Sequence, residues 1–154
     1  MEIRAYDPDD ETEVIQLWWQ AWHSSSSYAH HRPIEDWRVW WQEIIADHRV
    51  AVMTHSSEIV AFAAVNVEEC LLSQLFVSPS WQRKGLGKQL MCWVLEQCPT
   101  GFRLRAATDN RSARLFYAAL GMQETSSGIN NFNGRPDVGY TTPEGISVDT
   151  WCNR

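Results

Sequence analysis

The stretch Leu75-Phe76-Val77-Ser78-Pro79-Ser80-Trp81-Gln82-Arg83-Lys84-Gly85-Leu86-Gly87-Lys88 constrains the fold more than any other part of the chain. An apolar run ends in a Ser-Pro-Ser turn, crosses a loop with two glycines and enters an amphipathic pattern, so a buried strand feeds directly into a helix. Such a loop aims several backbone N–H groups and the positive end of the helix dipole at one point. Gly85 and Gly87 carry no Cβ to hold an anion away, and Arg83, Lys84 and Lys88 add positive charge. The segment reads as a phosphate cradle.

Charge is distributed to match. Residues 83 to 114 hold seven basic side chains against two acidic ones, a local balance of +5, although the whole chain carries −6 and the remainder therefore −11. An acidic protein with one cationic segment suits a small polyanion and argues against a nucleic-acid backbone. No run approaches the roughly 20 apolar residues of a membrane span, and the N-terminus, Met1-Glu2-Ile3-Arg4, lacks the basic and apolar regions of a secretory signal. A cytoplasmic location is the expectation, with neither a membrane nor a nucleic acid as partner.

The remaining patterns place this segment within one α/β domain spanning residues 1–154. Glu2 to Tyr6 reads as a strand, and Asp7-Pro8-Asp9-Asp10 as a turn that caps a helix carrying Ile15, Trp18, Trp19 and Trp22 on one face. Ser24 to Ser27 reads as a loop. A second helix starts near Pro33 and repeats the spacing with Trp37, Trp40, Trp41, Ile44 and Ile45. Arg49 to Thr54 and Ile59 to Val67 form a hairpin across His55-Ser56-Ser57-Glu58, and Leu71 to Val77 is a third strand. A helix from about Gly85 to Gln97, a strand over Phe102 to Ala107 and a helix from Asn110 to Leu120, stopped by Gly121, follow. The last strand is Val138 to Thr142, or Ile146 to Cys152, or both. Helical crossovers between strands imply a mixed sheet covered on both faces.

The phosphate ligand can be narrowed by residue. A Walker A loop ending at Gly87-Lys88 needs glycine where Gln82 stands and a hydroxyl where Gln89 stands, and a dinucleotide fingerprint needs glycine where Leu90 stands. Both fail. Gln82-Arg83-Lys84-Gly85-Leu86-Gly87, with the preceding Leu75-Phe76-Val77-Ser78-Pro79, resembles the acyl-CoA pyrophosphate loop of the GNAT acetyltransferases. Asn110-Arg111-Ser112-Ala113-Arg114-Leu115-Phe116-Tyr117, ending Leu120-Gly121-Met122, is similar to a second block of that superfamily, in the same order.

The resemblance implies a mostly antiparallel, GNAT-like sheet flanked by helices in the order β-α-α-β-β-β-α-β-α-β-β. It implies acetyl-CoA as co-substrate, an amine acceptor and no metal. Leu75, Phe76 and Val77 would meet the pantetheine arm, the amides from Arg83 to Lys88 would hold the pyrophosphate behind Gln82, and Asn110 and Ala113 would contact the CoA arm. Tyr117 would protonate the departing thiolate: a thiol has a pKa near about 8.5 and a phenol near about 10, so the phenol keeps its proton at neutral pH.

The general base is open. Some relatives carry a carboxylate at about Ser73, and the alternation 69, 71, 73 puts Glu69 on that face; Glu68 and a water chain are the alternatives. Without a base the chain would instead be a non-catalytic acyl-CoA-binding module. Oligomeric state is likewise open between monomer and homodimer.

Six of the nine tryptophans fall between positions 18 and 41, on the helices that wall the acceptor cleft in similar proteins. Stripes at helical spacing are core residues first, and one ring of each adjacent pair (Trp18-Trp19, Trp40-Trp41) is left over for a cationic or aromatic acceptor. Tyr28, His30 and His31 lie between the helices. Residues 128–140 resemble a loop and strand in one branch of small bacterial GNAT proteins. Cys70, Cys92, Cys98 and Cys152 form no Cys-x-x-Cys pair and read as reduced small hydrophobes.

Overall fold

Asp7 ends the first strand and starts the first helix through a capping box: its side chain accepts from the Asp9 N–H, while Asp10 accepts from the Asp7 N–H. Arg4 grips the Asp10 carboxylate with two bonds of 2.7 and 2.9 Å. The computed structural model describes residues 1–25, 33–131 and 134–153, with backbone alone at 22–25. Tyr28, His30, His31 and the Trp22 ring therefore lie outside the described residues.

The elements are β1 (Glu2–Ala5), α1 (Glu11–Ser25), α2 (Ile34–Asp47), β2 (Arg49–His55), β3 (Glu58–Asn66), β4 (Leu71–Val77), α3 (Leu86–Gln97), β5 (Arg103–Ala107), α4 (Arg111–Ala119), β6 (Gln123–Ile129), β7 (Pro136–Thr141) and α5 (Val148–Cys152). The β2–β3 hairpin turns on Ser56 and Ser57, both at positive φ (50° and 67°), as a two-residue turn matching strand twist requires.

All seven strands join one sheet in the order β1-β2-β3-β4-β5-β7-β6. The pairs are antiparallel except β4 with β5. The mixed, mostly antiparallel α/β sheet expected from the sequence is thus the fold. Two apolar layers cover it. α3, α4 and α5 pack on one face through Leu86, Leu90, Met91, Val94, Tyr117 and Trp151, and α1 with α2 packs on the other through Val14, Ile15, Trp18, Trp37 and Trp41. Trp18 meets Trp37 edge-to-face at 4.7 Å, so these rings are core, whereas Trp19 and Trp40 are only partly buried.

One open alternative is resolved and one expectation needs correction. Of the alternatives for the last strand, the first holds, and Ile146 to Cys152 instead contains α5, capped by Ser147 and anchored where the Trp151 indole donates to the Leu120 carbonyl at 2.7 Å. That helix carries Cys152 to Cys92 on α3 (Cα–Cα 5.8 Å), where the two form a disulfide. The reduced reading therefore fails at these two cysteines, because their pairing depends on a helix the sequence pattern did not disclose. Cys70 and Cys98 are free; burial first, then the neighbouring Cys70, pushes the Cys98 thiol up to about 12.

Candidate functional site

The parallel pair β4–β5 is in register at a single position, Leu71 with Arg103, where the Arg103 N–H donates to the Cys70 carbonyl at 2.9 Å. Beyond it the strands diverge into a wedge. Ser78 donates its N–H to Val60 of β3 at 2.8 Å. By alternation along the strand, the main-chain groups of Gln74 and Phe76 also face β3, and those of Leu75 and Val77 face the wedge. Leu75, Phe76 and Val77 are only half-buried despite lying in the middle strand of seven, as expected where a neighbour has been pulled away.

The glycine loop stands at the mouth of this wedge. The Gln82 amide folds back onto the Val77 carbonyl at 3.1 Å, tying the loop to the strand end. Arg83 (φ 62°) and Gly85 (φ 84°) both adopt left-handed backbone, which curls the N–H groups toward one another ahead of α3. Gly85 caps α3 with no side-chain hydrogen bond, leaving the first-turn amides of Leu86, Gly87 and Lys88 aimed outward. A Cβ on Gly85 would meet nothing within 4 Å, so its glycine answers to the backbone angle and opens onto free space.

Gly87 has a different reason. A Cβ there would sit 3.0 Å from the Phe116 ring, so this glycine lets α4 pack against α3. Lys84 lies over the Trp81 ring at 4.8 Å, and Trp81 in turn meets His55 at 4.7 Å.

On the opposite wall, Asn110 caps α4 by accepting from the Ala113 N–H at 3.2 Å. Tyr117, about two turns further along, is buried, with its ring 5.4 Å from Tyr140. Burial first, then Tyr140, pushes its phenol up to about 12. Its hydroxyl makes no hydrogen bond to the described residues. Arg114 ties α4 to the sheet by donating to Tyr140 (3.1 Å), to the Thr108 carbonyl (3.0 Å) and to Glu124 (2.7 Å), a network that no short sequence spacing signals.

A wedge between parallel strands, a curled amide loop at its mouth and a capped helix opposite agree with the family model of an acetyltransferase (GNAT) domain, which matches residues 26–142. The chain belongs to the GNAT family. Its fold is similar to that of apo YjaB from Escherichia coli, at TM-score 0.75 and 15% identity over 91% of this chain and 95% of that one. The PaiA N-acetyltransferase of Thermoplasma acidophilum, solved in complex with coenzyme A, gives 0.74 and 17% over 92% and 98%. The ribosomal-protein-S18-alanine N-acetyltransferase of Escherichia coli gives 0.70 and 18% over 95% and 95%. At these identities the likeness is one of fold. No curated protein matches the chain.

One expected site residue of this GNAT chain stands apart. β4 begins at Leu71, so strand alternation does not reach Glu69, which lies in the preceding turn and is paired with Arg103 at 4.0 Å at the closed end of the wedge. Its side chain is 59% exposed. Among the described residues no cluster of His, Cys, Asp or Glu could hold a metal ion, and no helix is long and apolar enough to cross a membrane.

Proposed function

We propose that the protein transfers an acetyl group from acetyl-CoA to a primary amine by direct attack within a ternary complex. The observation that carries the reading is the wedge: the amides of Leu75 and Val77 face a gap with no strand in it, directly behind an outward-aimed helix N-terminus. The open space at Gly85 and the exposed Arg83 and Lys84 fit a pyrophosphate there. The negative balance outside residues 83–114 favours a cationic acceptor.

Acetyl-CoA supplies an activated thioester carbonyl. The chain's part is to bind and polarise it. The Leu75 and Val77 amides hydrogen-bond the pantetheine arm and the carbonyl oxygen, where developing charge is held by fixed donors. Asn110 and Ala113 present the α4 terminus to the arm. Tyr117 keeps its proton at every physiological pH and offers it to the sulfur. Full transfer from so weak an acid is uphill, so the phenol acts mainly by hydrogen-bonding the thiolate as charge builds.

Titration with acetyl-CoA, read by tryptophan fluorescence and calorimetry, followed by assay on spermidine and on a peptide with an N-terminal alanine, tests this. Saturable binding with turnover of either amine is expected. Binding without turnover on any amine, unaltered by Tyr117→Phe, would favour the non-catalytic acyl-CoA-binding module. Absence of binding would remove both.

A further inference from the structure

The face of the sheet under α1 and α2 carries a polar constellation that the apolar periodicity conceals. β4 is bulged: its register with β3 passes from Ala64–Gln74 to Val65–Leu72, leaving Ser73 as the extra residue. The Ser73 hydroxyl lies 2.8 Å from Nε2 of His48, in the junction between α2 and β2, and Nδ1 of that ring lies 2.6 Å from the Asp47 carboxylate. The bond spans β3, which presents only the methyl of buried Ala64 to this face at that level. The imidazole is 11% exposed, whereas the Asp47 side chain is 65% exposed.

The partners set the roles. Asp47 can only accept, so Nδ1–H donates to it; Nε2 is then a lone pair accepting from the Ser73 O–H. Ser73 lies two residues before Leu75, about 7 Å along the strand, and so borders the place where the Leu75 amide would hold the thioester carbonyl. Other charged or titratable groups near His48 are engaged elsewhere. Arg49 donates to Gln97 at 2.9 Å, Arg4 holds Asp10, and the Tyr6 hydroxyl accepts from the Trp41 indole at 3.1 Å.

We infer that Asp47, His48 and Ser73 form a proton relay that deprotonates the acceptor amine, an inference that rests on the acetylation reading above. The ammonium passes a proton to Ser73 Oγ as the serine proton moves to Nε2, and the imidazolium is held by Asp47. The freed nitrogen lone pair forms the C–N bond while the C–S bond breaks. Two protons leave nitrogen in succession by this route, each passing from His48 to water on the exposed Asp47 side. One is matched by the proton that the thiolate, hydrogen-bonded by Tyr117 as it departs, takes up from water on release, and the other is the net proton of the reaction. His48 thus takes the part expected of Glu69, from a different element.

The test uses the full chain and His48→Gln, Ser73→Ala and Asp47→Asn. Acetylation of spermidine and the alanine peptide is followed across pH, alongside acetyl-CoA affinity by calorimetry. Expected is a fall in kcat/KM for the amine of about 100-fold in His48→Gln, with acetyl-CoA affinity unchanged. Ser73→Ala falls likewise. Asp47→Asn falls less; being exposed, it keeps the test decisive even where His48→Gln does not fold. Wild-type rates in these variants, a parallel loss of acetyl-CoA affinity, or an acetyl adduct on Ser73 would each overturn the relay while leaving the acetylation reading intact. Failure of the wild type to acetylate any amine would overturn that reading, and the relay with it. Ring 15N shifts provide a readout independent of turnover: a proton on Nδ1, facing Asp47, is expected, and a ring with its only proton on Nε2 would overturn the assignment.

Discussion

At the scale of single residues, the chemistry turns on how burial treats a phenol. Tyr117 has its pKa raised from 10.0 to about 12, chiefly by desolvation. The raised value favours the protonated form in the folded state only. Below pH 10 both states hold the proton and stability does not respond. Between pH 10 and about 12 the unfolded chain ionises and the folded one does not, so stability falls by about 2–3 kcal/mol over that window. Urea melts across it should show a loss larger in the wild type than in Tyr117→Phe by that amount, the raised Cys98 thiol contributing equally to both. The same variant should lower kcat by about 100-fold while leaving the acetyl-CoA Kd unchanged; equal loss in both would remove the catalytic role. Tyr117 and Asn110 were legible in the sequence because they share one helix with fixed spacing. Glu69 was put on the Ser73 face by carrying alternation past Leu71, where β4 begins, and no local pattern marks a bulge at Ser73.

Among the elements, α3 and α4 are coupled by one missing side chain. Gly85 and Gly87 look equivalent in the sequence, both expected to clear a path for phosphate. The structure separates them: Gly85 serves a left-handed backbone beside open space, and Gly87 accommodates the Phe116 ring at 3.0 Å. Gly87→Val should displace Phe116 and with it the α4 turn that carries Tyr117, costing about 1–3 kcal/mol of stability together with acetyl-CoA affinity. Gly85→Ala strains the loop by about 1–2 kcal/mol without a steric conflict. Calorimetric titration beside urea denaturation of both variants checks the contrast, and equal behaviour would dissolve the distinction.

For the whole molecule, the C-terminal helix closes the α3 face, and the Cys92–Cys152 bridge joins residues 60 apart. A crosslink of that span restricts the unfolded chain and is worth about 2–4 kcal/mol. Cys152→Ser should therefore be about 2–4 kcal/mol less stable to urea than the wild type without reductant, and equally stable with it; a wild type indifferent to reductant would show the bridge contributes nothing. The α/β order, the glycine loop and the capped Tyr117 helix could be read directly from the chain, because each is a short-range pattern of periodicity, turn chemistry and capping carried by neighbouring residues. The tertiary structure alone decided the bridge, the Arg114–Tyr140–Glu124 network, the Gly87–Phe116 contact and the His48–Ser73 bond. Each joins residues from separate elements, and their meeting depends on strand register and helix docking rather than on anything local.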